Sequence, residues 1–448
     1  MERSVATVVG AGAAILMTVL ALPPAAAQNQ MLFGDLQIFG QDFLSAQDPA
    51  LAGAIGLGAD SELMTGQAEL DLNERLTFDR GQLSVADSVL WWQGSDGGSA
   101  QNDLLQAYVS VTPVPALTLV LGKQRISWGT GYAFFPGDRI NPPVNPQNRS
   151  EGFYGITTSL SPSASLSITA SVRFDTAFAG LAQLPGLAWP TAASIATSLP
   201  FLAPYLPSTA IPWLGLRYAV YVEDFVGDLD LHAGVTWQWQ RVLRPTVDFS
   251  LDVLGFIVDG ALAVELLNSD LYPQPGGTYA SPGFGRAFPI ATFGLQRTAA
   301  TDTASVTATV EYLYDSTGYD PSQAAQFLGD LLSALSAAPG PGSLSGTLLG
   351  SVAQSAWFES GEVIPSLGQH YGAISVNGSL SRLFSADAAF LINLQDLSLA
   401  LQAELRWTSL EGIDVFARAI TAWGQDSGTE FGSSPLRLAA SAGVVVHF

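Results

Sequence analysis

Alternation with a period of two residues runs through almost the whole chain and limits its possible folds more than any other feature. In Leu229–Gln240, "LDLHAGVTWQWQ", Leu229, Leu231, Ala233, Val235, Trp237 and Trp239 share one parity. Asp230, His232, Gly234, Thr236, Gln238 and Gln240 share the other. Successive side chains of a β-strand point to opposite faces, so this is a strand with one apolar and one polar side. "QAELDLNERLTF", "SLSITASVRF", "TVDFSLDV" and "LSLALQAELRW" repeat the pattern with uninterrupted apolar rows. Aromatic residues gather at the ends of such segments, at Phe174, Trp237, Trp239 and Trp407. Two architectures accept strands of this kind. A soluble sandwich turns the apolar row into its core; a membrane barrel turns it to lipid and keeps the polar row around a wet lumen.

Composition and the two termini favour the barrel. Charged residues make up 12% of the 448-residue chain, about half the usual share of a soluble protein. The formal net charge is −22 with a single lysine, Lys123, which argues against a nucleic-acid partner. The absence of cysteine fits export without disulfides. The N-terminus carries Arg3, an apolar run over Val5–Leu22, and Ala25-Ala26-Ala27 before Gln28. That order predicts a cleaved signal peptide at 1–27, leaving 28–448 as one domain. No later apolar run is long enough for a spanning helix. The C-terminal segment "LRLAASAGVVVHF" alternates through to Phe448. A last strand ending on an aromatic residue is similar to the sorting signal read by the barrel-assembly machinery of bacterial outer membranes.

Eighteen alternating segments can be drawn, from 31–39 to 435–448, among them 245–253, 256–267 and 289–298. The expected fold is an all-β, antiparallel, up-and-down transmembrane barrel of about 18 strands, with 14 or 16 as the alternatives. Its connections divide by end. The long ones, 40–64, 128–150, 175–212, 268–288 and 315–369, all fall on one end, whereas "DFVG", "LG", "FSAD" and "SLE" fall on the other. A soluble all-β protein has no reason for that asymmetry. Two long connections, at 177–206 and 322–353, are apolar and helix-prone, and either pack on themselves, plug the mouth or meet a greasy substrate.

The least generic stretch is "LGKQRISWGTGYAFFPGDRINPP", Leu121–Pro143, which leaves a strand for an aromatic, glycine- and proline-rich loop. Gly122, Lys123, Gln124, Trp128, Gly129, Asn141 and Pro142 carry a Gly–basic–Gln, Trp-Gly and Asn-Pro pattern. On these residues the chain resembles a family of porin-like bacterial outer-membrane barrels. The resemblance covers about thirty residues and the general layout, and implies a pore or transport role without naming a substrate. The alternative for the loop is structural, with Trp128 in an aromatic girdle, Gly129 turning, and Asp138 paired with Arg139.

Enzyme signatures are lacking. His232, His370 and His447 lie on separate strands, and no metal-ligand or nucleophile motif is present, so neither cofactor nor metal is expected. Asp230 and His232 share a face, as in some outer-membrane proteases, but no second carboxylate pair flanks them in the sequence. Polar-face charges sort into two arcs. Lys123, Arg125, Arg173 and Arg217 fall on neighbouring strands, while Asp230, Asp248, Asp252, Asp259, Glu265 and Glu311 fall on the next ones. Facing arcs would make a transverse field that selects ions; paired across adjacent strands, they would fill a closed lumen instead. The expected function is a channel for diffusion of small polar or charged solutes, in contact with membrane lipid. Uptake of hydrophobic compounds, or a closed adhesin or scaffold, are the alternatives.

Overall fold

The computed structural model describes residues 29–44, 63–94, 97–141, 152–174, 216–238, 242–268, 270–337, 366–410, 412–425, 429–432 and 438–447. The strands are β1 (Asn29–Leu44), β2 (Leu63–Phe78), β3 (Gly81–Gly94), β4 (Gly97–Val114), β5 (Leu117–Gln124), β6 (Phe153–Leu160) and β7 (Leu166–Arg173). Next come β8 (Arg217–Val226), β9 (Leu229–Gln238), β10 (Val242–Val253), β11 (Phe256–Asn268), and a short hairpin of β12 (Tyr272–Gln274) and β13 (Thr278–Ala280). The chain continues through β14 (Gly283–Ala300), β15 (Ser305–Asp315), helix α1 (Pro321–Ala337), β16 (His370–Ser379) and β17 (Phe384–Asn393). It ends with β18 (Ser398–Leu410), β19 (Ile413–Trp423) and β20 (Leu438–His447).

Apart from the hairpin, these strands form one 18-stranded sheet in which each pairs antiparallel with its neighbour. The sheet closes because β1 pairs with β20, from Asp35 against His447 to Leu44 against Leu438. Closure removes the free edges that an open sheet must protect. It also lets every ladder amide find a partner, which hydrocarbon demands of anything crossing it.

The polar rows of the strands face the inside of the ring. Leu231, Val235 and Trp237 are exposed on the outer surface, while His232, Thr236 and Gln238 are buried inside the ring. The same division holds on the next strands, where Val247, Leu262, Phe293 and Val310 point out and Asp248, Ala263, Thr292 and Glu311 point in. An outer belt of this size needs an apolar surround. Aromatic pairs mark both rims, Tyr218 on Trp237 at the long-loop end and Phe384 on Trp407 at the other.

Connections at the short-turn end have two to five residues. The two-residue turn between β10 and β11 has Leu254 at φ 55° and Gly255 at φ 78°. Positive φ at both central positions is the hairpin turn whose twist matches the strands, and glycine relieves half its strain. At the other end, the expected helix appears as α1. It rests on the β12–β13 hairpin, with Tyr279 Oη donating to Asp330 Oδ2 at 2.8 Å and Tyr319 Oη donating to the Leu271 carbonyl at 2.6 Å. The first part of the 315–369 connection therefore packs on the 268–288 connection. The apolar segment 177–206, Trp239, Pro142, Phe448 and the segment 1–27 lie outside the described residues.

β10 begins earlier than its sequence suggests. Alternation reads cleanly only from Pro245, yet the strand starts at Val242. The ladder with β9 continues through Pro245 opposite Val235, while the ladder with β11 shifts register between Leu243 and Thr246. A proline has no amide to give, and a bulge is where a strand tolerates one. The consequence is that Arg244 stands inside the barrel.

Candidate functional site: an inward-folded loop and its anchors

Residues 125–141, after β5, turn into the ring and touch its wall on at least six strands. Their ends are drawn together by Asn141. Its Oδ1 accepts from the Ile126 amide at 3.0 Å, and its Nδ2 donates to the Ile126 carbonyl at 2.5 Å and to Asp138 Oδ2 at 2.8 Å. Asp138 Oδ1 also accepts from the Asn141 amide at 3.1 Å. Burial pushes the Asp138 carboxyl above its ordinary range, against the opposing pull of those bonds from Asn141.

The wall grips the loop with opposite chemistry at different points. Arginines hold its carbonyls: Arg244 Nη1 donates to Pro136 at 2.8 Å, Arg217 Nη1 to Arg139 at 2.6 Å, and Arg173 Nη1 to Ile140 at 3.1 Å. A carboxylate holds its amides. Glu311 Oε2 accepts from Ala133 at 2.6 Å and Tyr132 at 3.3 Å. Thr130 Oγ1 donates to the Phe249 carbonyl at 3.0 Å, and the Gly129 amide donates to Tyr221 Oη at 2.9 Å. These bonds to charged groups are worth about 1.5–3 kcal/mol each, roughly twice a neutral bond. Gly131 is required at its place, because a Cβ there would stand 2.1 Å from the Phe134 carbonyl oxygen.

Apolar packing supports the same placement. Trp128 is buried, edge-on to Tyr221 at 4.6 Å between centroids, and clusters with Ile140, Phe153 and Ala219. It is inside the barrel and not in a lipid-facing girdle, because the loop that carries it folds inward. Phe134 packs on a second cluster of Ala263, Ile290, Leu313 and Tyr371. Tyr132 and Phe135 keep exposed faces on the loop.

The expected site residues fall into place unevenly. Asp138 and Arg139 do not pair; Asp138 turns to Asn141, and Arg139 Nη2 lies 3.6 Å from Glu265 Oε2. Lys123 is fully buried in the wall, its Nζ donating to the Leu104 carbonyl at 2.5 Å and standing 5.8 Å from the centre of the Tyr154 ring. Gly122, at φ 130°, marks where alternation breaks between exposed Leu121 and buried Lys123. Arg125 lies close enough to act electrostatically on Asp138. Of the acidic arc, Glu265 takes Arg244, Glu311 takes the loop, and Asp248 takes His232 and Tyr221. Asp230 also meets His232. Asp259 is buried facing Gly294, where any Cβ would collide with its carboxylate. Asp252 sits apart in a short turn, accepting from the Gly255 amide at 3.2 Å.

Three groups of importance were not singled out in the sequence. Arg244 is hidden by the proline after it. Tyr221 and Glu223 look like ordinary strand residues. On the far wall, Glu404 accepts from Arg418 Nη2 at 2.6 Å and Arg406 Nη2 at 2.9 Å, and Arg406 reaches Asp414 at 3.4 Å. The side chains of Arg418 and Arg406 retain 39% and 32% exposure, against 14% for Arg139 and none for Arg244.

A second inward contact comes from residues 429–432, between β19 and β20. Glu430 Oε2 accepts from Tyr371 Oη at 2.8 Å and Asn393 Nδ2 at 2.7 Å, and its amide donates to Asp396 Oδ2 at 2.7 Å. Burial raises the Glu430 carboxyl to about 8, opposed by the bonds from Tyr371 and Asn393 and reinforced by Asp396. A carboxyl with a folded value above its unfolded one favours docking in its neutral form. That contribution is complete below the unfolded value and is lost as pH rises through the folded one. Hydrogen exchange at 429–432 should therefore speed up progressively between about pH 4.5 and about pH 8 and level off above that, beyond the intrinsic increase in exchange rate. Glu430→Gln should abolish the extra component.

The fold and this loop define a class: a large closed barrel whose lumen is crossed by a pinned loop. No protein-family model matches the sequence, and neither does any curated protein sequence. Among solved structures, the chain is similar to Pseudomonas aeruginosa OccK11 (OpdR), with 8% identity, 94% of this chain and 97% of that one covered, and a TM-score of 0.49. It is also similar to a BenF-like porin from Pseudomonas fluorescens Pf-5, with 9% identity, 94% and 99% coverage, and a TM-score of 0.49. For P. aeruginosa OccK2 (OpdF) the identity is 11%, the coverage 94% and 98%, and the TM-score 0.47.

Proposed function

We propose that the chain is a bacterial outer-membrane channel through which small polar or charged solutes diffuse, narrowed by residues 125–141. The observation that carries this reading is the loop itself, folded into the ring and pinned by Arg173, Arg217, Arg244 and Glu311. A ring of 18 strands encloses more space than wall side chains fill, and rings of 16–18 are those that leave an aqueous channel. On this reading the arginines of the expected basic arc shape the passage by holding the loop. Ion selection falls to the half-exposed Arg406 and Arg418 on the far wall. Export by cleavage after Ala27 and recognition of Phe448 by the assembly machinery complete the proposal.

A zero-current potential under a salt gradient tests it. Arg406→Gln with Arg418→Gln leaves Glu404 and Asp414 dominant, so cation preference rises. The shift should shrink at high salt, where the screening length falls from about 10 Å at 0.1 M to about 3 Å at 1 M. A barrel that never conducts would be a scaffold. Conduction that ignores both arginines would remove them from the passage. Tyr132 and Phe135, exposed on the loop, favour the second reading of hydrophobic uptake, which substitutions there would impair.

A further inference from the structure

The strand register near the short-turn end brings together groups that the sequence keeps apart. Glu223 of β8 lies opposite His232 of β9, which in turn lies opposite Asp248 of β10. Asp230, two residues before His232, joins them on the same inner face. His232 is 6% exposed. Its Nδ1 is 2.6 Å from Asp248 Oδ1 and 2.7 Å from Tyr221 Oη.

The other nitrogen is arranged differently. Asp230 Oδ1 stands 2.7 Å from Nε2 and Glu223 Oε1 stands 3.7 Å from it. Yet neither Nε2 nor Asp230 Oδ1, both buried atoms, has a hydrogen-bond partner. The contact is close but misaligned for a shared proton. One ligand atom from each of Glu223, Asp230 and His232 lies within 4.8 Å of the others. Ligand atoms around one metal ion stand about 3 Å apart, given bonds near 2.0–2.2 Å. Charge points the same way. Three carboxylates surround one imidazole, and among the described residues no arginine or lysine pairs with any of the three.

We propose that Glu223, Asp230 and His232 form a binding site for a borderline divalent cation of the Zn²⁺ type, open to the lumen. His232 Nε2 is the nitrogen ligand, and the partly exposed carboxylates of Asp230 and Glu223 are the oxygen ligands. Asp248 on Nδ1 fixes the ring and strengthens Nε2 as a donor, the usual partner of a metal-bound histidine. Tyr221 bonds both this pair and the Gly129 amide, so the site is joined to the inward loop by one side chain. An imidazole ligand favours Zn²⁺ over Mg²⁺, which prefers oxygen alone.

The test uses the full mature barrel, refolded in detergent and stripped with a chelator, titrated with Zn²⁺ by calorimetry. Folding of each variant is checked by its heat-dependent electrophoretic mobility. The wild type should bind one Zn²⁺, undisturbed by excess Mg²⁺. Glu223→Gln and Asp230→Asn should each weaken binding at least about tenfold, and Asp248→Asn about 10–100-fold. Glu223 is one-third exposed, so its variant should fold even where Asp248→Asn does not. With Co²⁺ as the probe, visible absorption should appear in the wild type and be lost in His232→Gln. Absence of Zn²⁺ binding at millimolar metal would overturn the proposal. So would binding that survives Glu223→Gln and Asp230→Asn unchanged, or that Mg²⁺ displaces.

Discussion

Arg244→Ala should destabilise the folded barrel by about 3–5 kcal/mol in a denaturant titration, the range for breaking a buried pair from one side. Arg244 is fully buried, and its Nε donates to Glu265 Oε2 at 2.7 Å while Nη2 bonds the same oxygen. Removing it leaves the Glu265 carboxylate, 1% exposed, with only Arg139 at 3.6 Å. A double-mutant cycle separates charge from shape. Arg244→Met with Glu265→Leu removes both charges at similar volume, and stability should return to near the wild-type value. Arg244→Lys keeps a charge but lacks the planar fork that serves Glu265 and Pro136 together, so it should fall between the two. Equal losses in the single and double variants would mean that packing, not the pair, sets the cost.

That Arg244 had to be found in the structure shows where sequence reasoning stops. The barrel is legible because hydrocarbon imposes a strict rule: every second residue in a spanning strand must be apolar, and the pattern repeats eighteen times. The sidedness of the connections is legible for a related reason, since it needs only lengths. Leu121–Pro143 stood out by composition, but nothing in a run of glycine, proline and aromatic residues says whether it folds out or in. Trp128 suits a lipid rim or a buried cluster equally well, and the choice is made by Tyr221, ninety-three residues away. Juxtapositions such as Glu223, His232 and Asp248 depend on how adjacent ladders are registered. A shift by one residue would scatter them to opposite faces. Pro245 concealed its neighbour because a proline signals a strand end unless a bulge absorbs it.

Replacing residues 127–140 by a short glycine–serine linker should raise single-channel conductance several-fold. Geometry makes the excision feasible, because Asn141 already bonds both the amide and the carbonyl of Ile126, so the cut ends lie side by side. The anchors then lose their partners. Arg173, Arg217 and Arg244 no longer meet loop carbonyls, and Glu311 no longer meets loop amides. In a dry lumen such orphaned charges would cost several kcal/mol each. In a lumen opened to solvent, water takes the vacated bonds at little cost. Two readings should therefore move together: conductance rises, and the barrel stays folded with only a modest loss of stability. Retained folding with unchanged conductance would place the narrowest point elsewhere than at residues 127–140. Conductance absent before and after excision would mark a closed barrel, and the loop would then be packing for a filled lumen.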